Sequence, residues 1–168
     1  PIHIGGDTRR PMDDKCKTHE SGVKALALDV PGTKQGGWAA LHSSGEITVG
    51  DIQFDSTQSE ASDYRGLWEL LERFDPEVLI LEIPFLYRIS QTIGVAKAWA
   101  ATHHRSWWSV SANVAKKKIL NKGNARKSEV LLWAQQFLPG ISLTQHQADS
   151  LMYLAAWRQC QNQDRGVR

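Results

Sequence analysis

The chain is poor in cysteine, has no long apolar run, and lacks acidic residues over one stretch of 46 positions. Two cysteines among 168 residues, Cys16 and Cys160, cannot build a disulfide framework, and this favours a reducing compartment. Cys16 and His19 have no second pair of ligands after them, so a zinc site is not expected. No apolar segment reaches the roughly 18–20 residues that a bilayer span needs. The most apolar candidate, Val78 to Leu86, is interrupted by Glu82. The first residues lack the apolar core of a secretory signal. The expectation is a protein that is not secreted and has no membrane partner. It would act in the cytoplasm. A hydrophobic fraction of 41% suffices for a packed core and excludes a mostly disordered chain.

The net charge of +2 conceals a segregation. Residues 1–82 carry 15 acidic and 8 basic side chains, residues 83–128 carry 9 basic and none acidic, and residues 129–168 carry 3 of each. Ordinary surfaces intersperse both signs because like charges repel. A polyanionic partner explains the basic stretch, and nucleic acid is the commonest polyanion.

Residues 1–22 are polar, punctuated by Gly and Pro, and read as an extension outside the fold. Residues 23–160 read as one domain and 161–168 as a tail. Val23–Val30 reads as a buried strand ending in an acid. Residues 31–37 form a turn, and Trp38–Leu41 with Glu46–Phe54 a hairpin. Ala61–Phe74 carries Leu67, Leu70, Leu71 and Phe74 at helical spacing, with Pro76 after its end. Glu77–Phe85 is a second buried strand with an acid near its end. Ile89–His103 is a helix with small residues on one side, and Trp107–Ser111 a further strand. Val114–Asn121, Lys127–Phe137 and Gln147–Gln159 read as helices. This order implies one mixed α/β layer structure.

Asp29 and Glu82 each stand at the end of an otherwise apolar strand. A carboxylate in such a run is costly to bury without a partner. Two strand ends can converge at one sheet edge. His146 and Asp149 sit three residues apart, on one helix face. Three carboxylates and an imidazole drawn from distant segments suit one or two divalent cations, with Mg²⁺ and Mn²⁺ preferred by oxygen ligands. Two such ions about 4 Å apart support phosphodiester cleavage. The residues also admit plainer readings: Asp29 as a turn acid, Asp149 as a helix-capping acid, and His146 as a surface histidine.

The arrangement resembles a known family. Residues 25–41, ALALDVPGTKQGGWAAL, resemble the opening strand and hairpin of RuvC-type crossover-junction endonucleases. VLILEIPF at 78–85 is similar to their second acidic strand. VAKKKILNKGNARKSEV at 114–130 resembles their basic stretch, and QHQADSLMYLAAW at 145–157 their final helix. The motifs follow in order over residues 24–158. The resemblance implies a ribonuclease H-like α/β fold, with a five-stranded mixed sheet flanked by helices. It implies a homodimer that resolves four-way (Holliday) junctions by paired nicks during recombination or repair of branched DNA, using Mg²⁺ or Mn²⁺. Asp29, Glu82, His146 and Asp149 fall on the four catalytic and metal-binding positions. His146 stands where the family usually has a carboxylate, so it is a ligand or a proton-transfer group. The turn after Asp29 reads Val-Pro-Gly where Pro-Gly often follows directly.

Lys116, Lys117, Lys118, Lys122, Arg126 and Lys127 crowd into twelve residues and are candidates for phosphate contacts. Gly123 and two asparagines there would let the backbone approach DNA. Phe85, an aromatic beside the acids, is a candidate to stack on an unpaired base. Trp107 and Trp108 read as structural. The Ile89–His103 helix, with Gly94, Ala98 and Ala101, is the expected dimer surface. Rival readings are a ribonuclease H-like enzyme acting on RNA or RNA–DNA hybrids, and a non-catalytic junction-binding protein. A kinase-like ATPase would need a second nucleotide domain, for which the length leaves no room.

Overall fold

The protein is described here from a computed structural model, which describes residues 22–30, 34–54, 59–84 and 86–165. The chain runs β1 (Val23–Asp29), β2 (Gln35–His42), β3 (Ile47–Gln53), α1 (Glu60–Phe74), β4 (Val78–Glu82), α2 (Tyr87–Thr102), β5 (Ser106–Val110), α3 (Ala112–Leu120), α4 (Lys127–Phe137) and α5 (Gln145–Arg165). Every expected strand and helix is present, with shifted ends. β4 stops at Glu82, short of the expected Phe85, because Pro84 has no N–H for a ladder.

The five strands form one sheet in the order β3-β2-β1-β4-β5. β1 pairs antiparallel with β2, and β2 with β3. β1 runs parallel to β4, and β4 to β5. Leu28 lies opposite Leu81 in the parallel register. Asp29 and Glu82 are the next residues on their strands, so the register brings the two acids to one end of the sheet.

Alternation along each strand then decides which layer each side chain meets. Leu26, Leu28, Leu79 and Leu81 point into a core closed by Leu67 and Leu71 of α1 and by Ala96 and Trp99 of α2. Ala25, Ala27, Ala39 and Ile80 point into the opposite core, with Val130 of α4 and Ala148, Leu151 and Met152 of α5. The alanines on this face are small, and α5 packs directly across β1 and β2. Asp29 shares the parity of Ala27, and Glu82 that of Ile80. Both acids therefore belong to the α5 side. Among the described residues, no helix is long and apolar enough to cross a membrane.

α5 starts at Gln145, two residues before the expected Gln147. Thr144 and Gln147 form a reciprocal cap there. The Gln147 N–H donates to Thr144 Oγ1 at 3.3 Å, and the Thr144 N–H donates to Gln147 Oε1 at 3.0 Å. Thr144 Oγ1 also donates to Asp51 Oδ1 at 3.1 Å, tying the helix start to β3. This cap places His146 in the first turn. At its other end α5 continues to Arg165.

Candidate active site

Asp29, Glu82, His146 and Asp149 open on one cavity of about 280 Å³. Tyr153, Lys116, Lys127 and Gln35 share its wall. The structure thus gathers all four expected acid and imidazole positions from β1, β4 and α5. Their spacing along α5 explains the convergence: His146, Asp149 and Tyr153 succeed each other at i, i+3 and i+7 on one helix face.

Asp29 and Asp149 each have a side-chain partner from α5. His146 Nδ1 lies 2.6 Å from Asp29 Oδ2. The Asp29 N–H donates to Ser150 Oγ at 3.1 Å, and that hydroxyl donates to the His146 carbonyl at 2.8 Å. Gln145 Nε2 donates to both oxygens of Asp149 at 3.3 Å. Glu82 and Tyr153 line the same cavity wall.

The approach of α5 to the sheet depends on Gly37. This residue lies opposite Asp29 in the β1–β2 ladder. A Cβ on it would stand 2.4 Å from the His146 carbonyl carbon and 2.6 Å from the Gln147 nitrogen. No side chain other than hydrogen leaves room for the helix there.

The electrostatics are those of crowded, partly buried acids. Burial, then repulsion from Asp29 and Asp149, pushes Glu82 up to about 7. Burial and the Asp29 charge push Asp149 up to about 6. The Asp29 hydrogen bond raises His146. Burial and the neighbouring Glu82 raise Tyr153, whose phenol stays protonated. Lys116 and Lys127 act in the opposite sense on Asp149.

The donor set is chemically suited to a hard divalent cation, since carboxylate oxygens dominate it and their mutual repulsion is what a cation relieves. As placed, no group of three or more His, Cys, Asp or Glu side chains among the described residues is gathered tightly enough to hold one. The Asp29–His146 contact is one reason, because it engages an oxygen that a cation would need.

The basic residues divide. Lys116 and Lys127 reach the cavity. Lys117 and Arg126 are exposed. Lys122 pairs with Glu129 at 2.7 Å. Lys118 donates to Gln163 Oε1 at 3.3 Å and borders a separate groove with Trp133, Phe137 and Arg158. A run of consecutive helical lysines spreads around the axis, so one face receives only part of it. Phe85 lies outside the described residues, as do residues 1–21. Its neighbours Ile83, Leu86 and Tyr87 are exposed. Trp108 packs in the core on the α5 side. Trp107, read as structural, is 45% exposed on the edge strand β5, with the Lys97 ammonium 5.9 Å from its ring.

Sequence reasoning missed Tyr153, Ser150, Gln145 and Gly37. Three signals were available: a tyrosine one turn beyond Asp149, a serine amid an apolar helix face, and a Gly-Gly pair inside a strand.

No protein-family model matches the chain. A Chlamydia caviae protein named crossover junction endodeoxyribonuclease RuvC is 27% identical over 124 residues, covering 64% of this chain and 74% of its own. An Oleidesulfovibrio alaskensis protein of the same name is 29% identical over 131 residues, covering 70% and 78%. The structure of Thermus thermophilus RuvC in complex with a Holliday junction substrate superposes with a TM-score of 0.63 at 18% identity, covering 80% and 92%. The chain is related to the RuvC endodeoxyribonucleases. The five-stranded sheet and flanking helices are the RuvC, ribonuclease H-like fold, as the sequence motifs led one to expect.

Proposed function

We propose that this protein is an endodeoxyribonuclease that resolves four-way DNA junctions with the help of divalent cations. The observation that carries the proposal is the cavity itself. Asp29, Glu82, His146 and Asp149 face it together, and Lys116 and Lys127 stand at its wall. Acids flanked by cations suit a cation-assisted reaction on a phosphodiester, because the lysines attract the phosphate that the acids alone would repel. The likeness to proteins named as junction endonucleases supports the substrate class.

Asp29, Glu82, His146 and Asp149 would hold one or two ions, Mg²⁺ or Mn²⁺. When bound, such an ion supplies Lewis acidity to the scissile phosphate. The residues of the chain do the rest. Lys116 and Lys127 orient the backbone of the strand to be cut. His146 keeps a proton toward Asp29, where its Nδ1 already points. Lys117, Lys122 and Arg126 extend the contact along the arms, and Phe85 contacts the junction centre. Paired nicks need two active sites, so the acting species is a C₂ dimer. The exposed face of α2 that carries Gly94, Ala98 and Ala101 is its contact surface.

The test is a cleavage panel of equal-length substrates with Mg²⁺, Mn²⁺ or EDTA. Symmetric nicks in two opposed strands of a four-way junction, lost in EDTA, are the expected result. Equal or better cleavage of linear duplex or of an RNA–DNA hybrid would overturn the junction reading. Binding without cleavage under every ion would overturn the enzymatic one.

A further inference from the structure

Ser150 is a polar side chain in an apolar setting. It is 0% exposed, and Leu151, Met152 and Leu154, which follow it on α5, are apolar and fully buried. A hydroxyl in such a place needs partners within the protein, since water does not reach it. It has two. The Asp29 N–H donates to Ser150 Oγ at 3.1 Å, and Ser150 Oγ donates to the His146 carbonyl at 2.8 Å. A bond from a helical serine to the carbonyl four residues back is common and by itself holds nothing outside the helix. Here the oxygen also accepts from a strand residue 121 positions away, so the hydroxyl joins α5 to the end of β1.

Both bonds end on main-chain atoms. They fix where the Asp29 and His146 backbones stand and leave both side chains able to turn. The Asp29 carboxylate and the His146 ring meet at 2.6 Å, and a cation entering the cavity has to take an oxygen from that contact. The hydroxyl link does not depend on the contact, so it persists when the side chains turn. Gly37 permits the approach of α5 to the sheet, and Ser150 holds it. We propose that Ser150 is a positioning residue, which pins the Asp29 backbone to the first turn of α5 and thereby sets the affinity of the acidic cavity for a divalent cation. The inference rests on the reading of this cavity as a cation site. Groups that orient ligands from outside commonly change metal affinity by about ten- to a hundredfold when removed.

The experiment titrates Mn²⁺ into the full chain by calorimetry and by the electron paramagnetic resonance signal of free Mn²⁺, below every melting transition. It compares wild type, Ser150→Ala, Ser150→Cys and Ala156→Gly. Ser150→Ala removes the hydroxyl with little change of size. Ser150→Cys fills the space, but its thiol is a weak donor and a weak acceptor. Ala156→Gly loosens the same helix in the same core, at a residue that does not line the cavity. Ser150→Ala should bind Mn²⁺ at least roughly tenfold more weakly, and its Asp29 amide should exchange faster in EDTA. Ser150→Cys should also lose affinity, and it decides the matter if the alanine variant does not fold. Ala156→Gly should melt lower and bind Mn²⁺ like wild type. Wild-type affinity in a folded Ser150 variant overturns the proposal. So does an equal loss in Ala156→Gly, which would make the effect one of general looseness. An unchanged Asp29 amide overturns it too, because the hydroxyl would not be holding that backbone. A wild-type chain that takes up no Mn²⁺ overturns the cation reading itself, and this inference with it.

Discussion

The main chain of His146 rests against Gly37, the residue that pairs with Asp29, while the His146 ring reaches back to the Asp29 carboxylate at 2.6 Å. One glycine thus governs the distance between the first turn of α5 and the end of β1. Ser150 closes the same junction from the helix side, through the Asp29 N–H and the His146 carbonyl.

Gly37→Ala should therefore separate structure from chemistry. The new Cβ must displace the backbone at His146 and Gln147, a rigid neighbour held by the Thr144 cap. Overpacking of this kind costs about 1–3 kcal/mol. Cleavage should fall further than stability explains, because the shift moves His146 and Asp149 together. Gly66→Ala in α1 is the control, since nothing lies within 4 Å of its Cβ. It should stabilise the fold by about 0.5–1 kcal/mol and leave cleavage intact. Denaturant unfolding beside junction cleavage checks both, and wild-type cleavage in Gly37→Ala would mean that α5 tolerates the displacement.

Asp29→Asn, Glu82→Gln and Asp149→Asn each remove a charge and keep the shape. Each is expected to lower cleavage roughly a hundredfold or more, since cation assistance contributes several kcal/mol. Junction binding should persist, because phosphate contacts come from lysines. Gel shift in EDTA and cleavage in Mg²⁺ measure the two separately. A variant that cuts at the wild-type rate removes its residue from the site.

The raised acids give the ion-free protein a pH dependence of definite sign. Glu82, held up to about 7, and Asp149, up to about 6, keep protons in the folded state after the unfolded chain has lost them. Stability should then fall as pH rises from about 4, the ordinary carboxylate range, to about 7. His146 adds the same sign, because its folded-state proton is favoured by Asp29 and is lost as pH rises. Thermal melts in EDTA across this range test the expectation, and saturating Mn²⁺ should flatten the profile. Melting temperatures that climb steadily with pH in EDTA would contradict it.

Salt dependence distinguishes the lysines by where they point. A phosphate contact contributes about −0.9 to the slope of log affinity against log salt on duplex arms. Replacing Lys116 and Lys127 by Ala should flatten the slope by roughly that amount each. Lys118→Ala should leave it unchanged, because that side chain turns to Gln163 and another groove. The reverse ranking would place the DNA on the α3–α5 groove.

The linear order of residues determined much of this. Apolar runs at 23–30 and 77–85, each ending in an acid, specify buried strands and mark the two carboxylates as exceptions. Alternation along each strand puts Asp29 on the side of Ala27 and Glu82 on that of Ile80, but that these sides are one face of the sheet follows only from the parallel register that sets Ala27 opposite Ile80. The i, i+3 spacing of His146 and Asp149 likewise follows from helical geometry alone. The charge segregation pointed to a polyanion before any contact was known. Tertiary structure decided what depends on approach rather than on pattern. Which lysines face the cavity follows from how α3 and α4 rotate against α5, and consecutive residues of one kind carry no such signal. Gly37 and Ser150 matter because α5 crosses β1 and β2 over small alanines. Their partners lie more than a hundred residues away in the chain, so only the packing of that helix on the sheet brings them to the site.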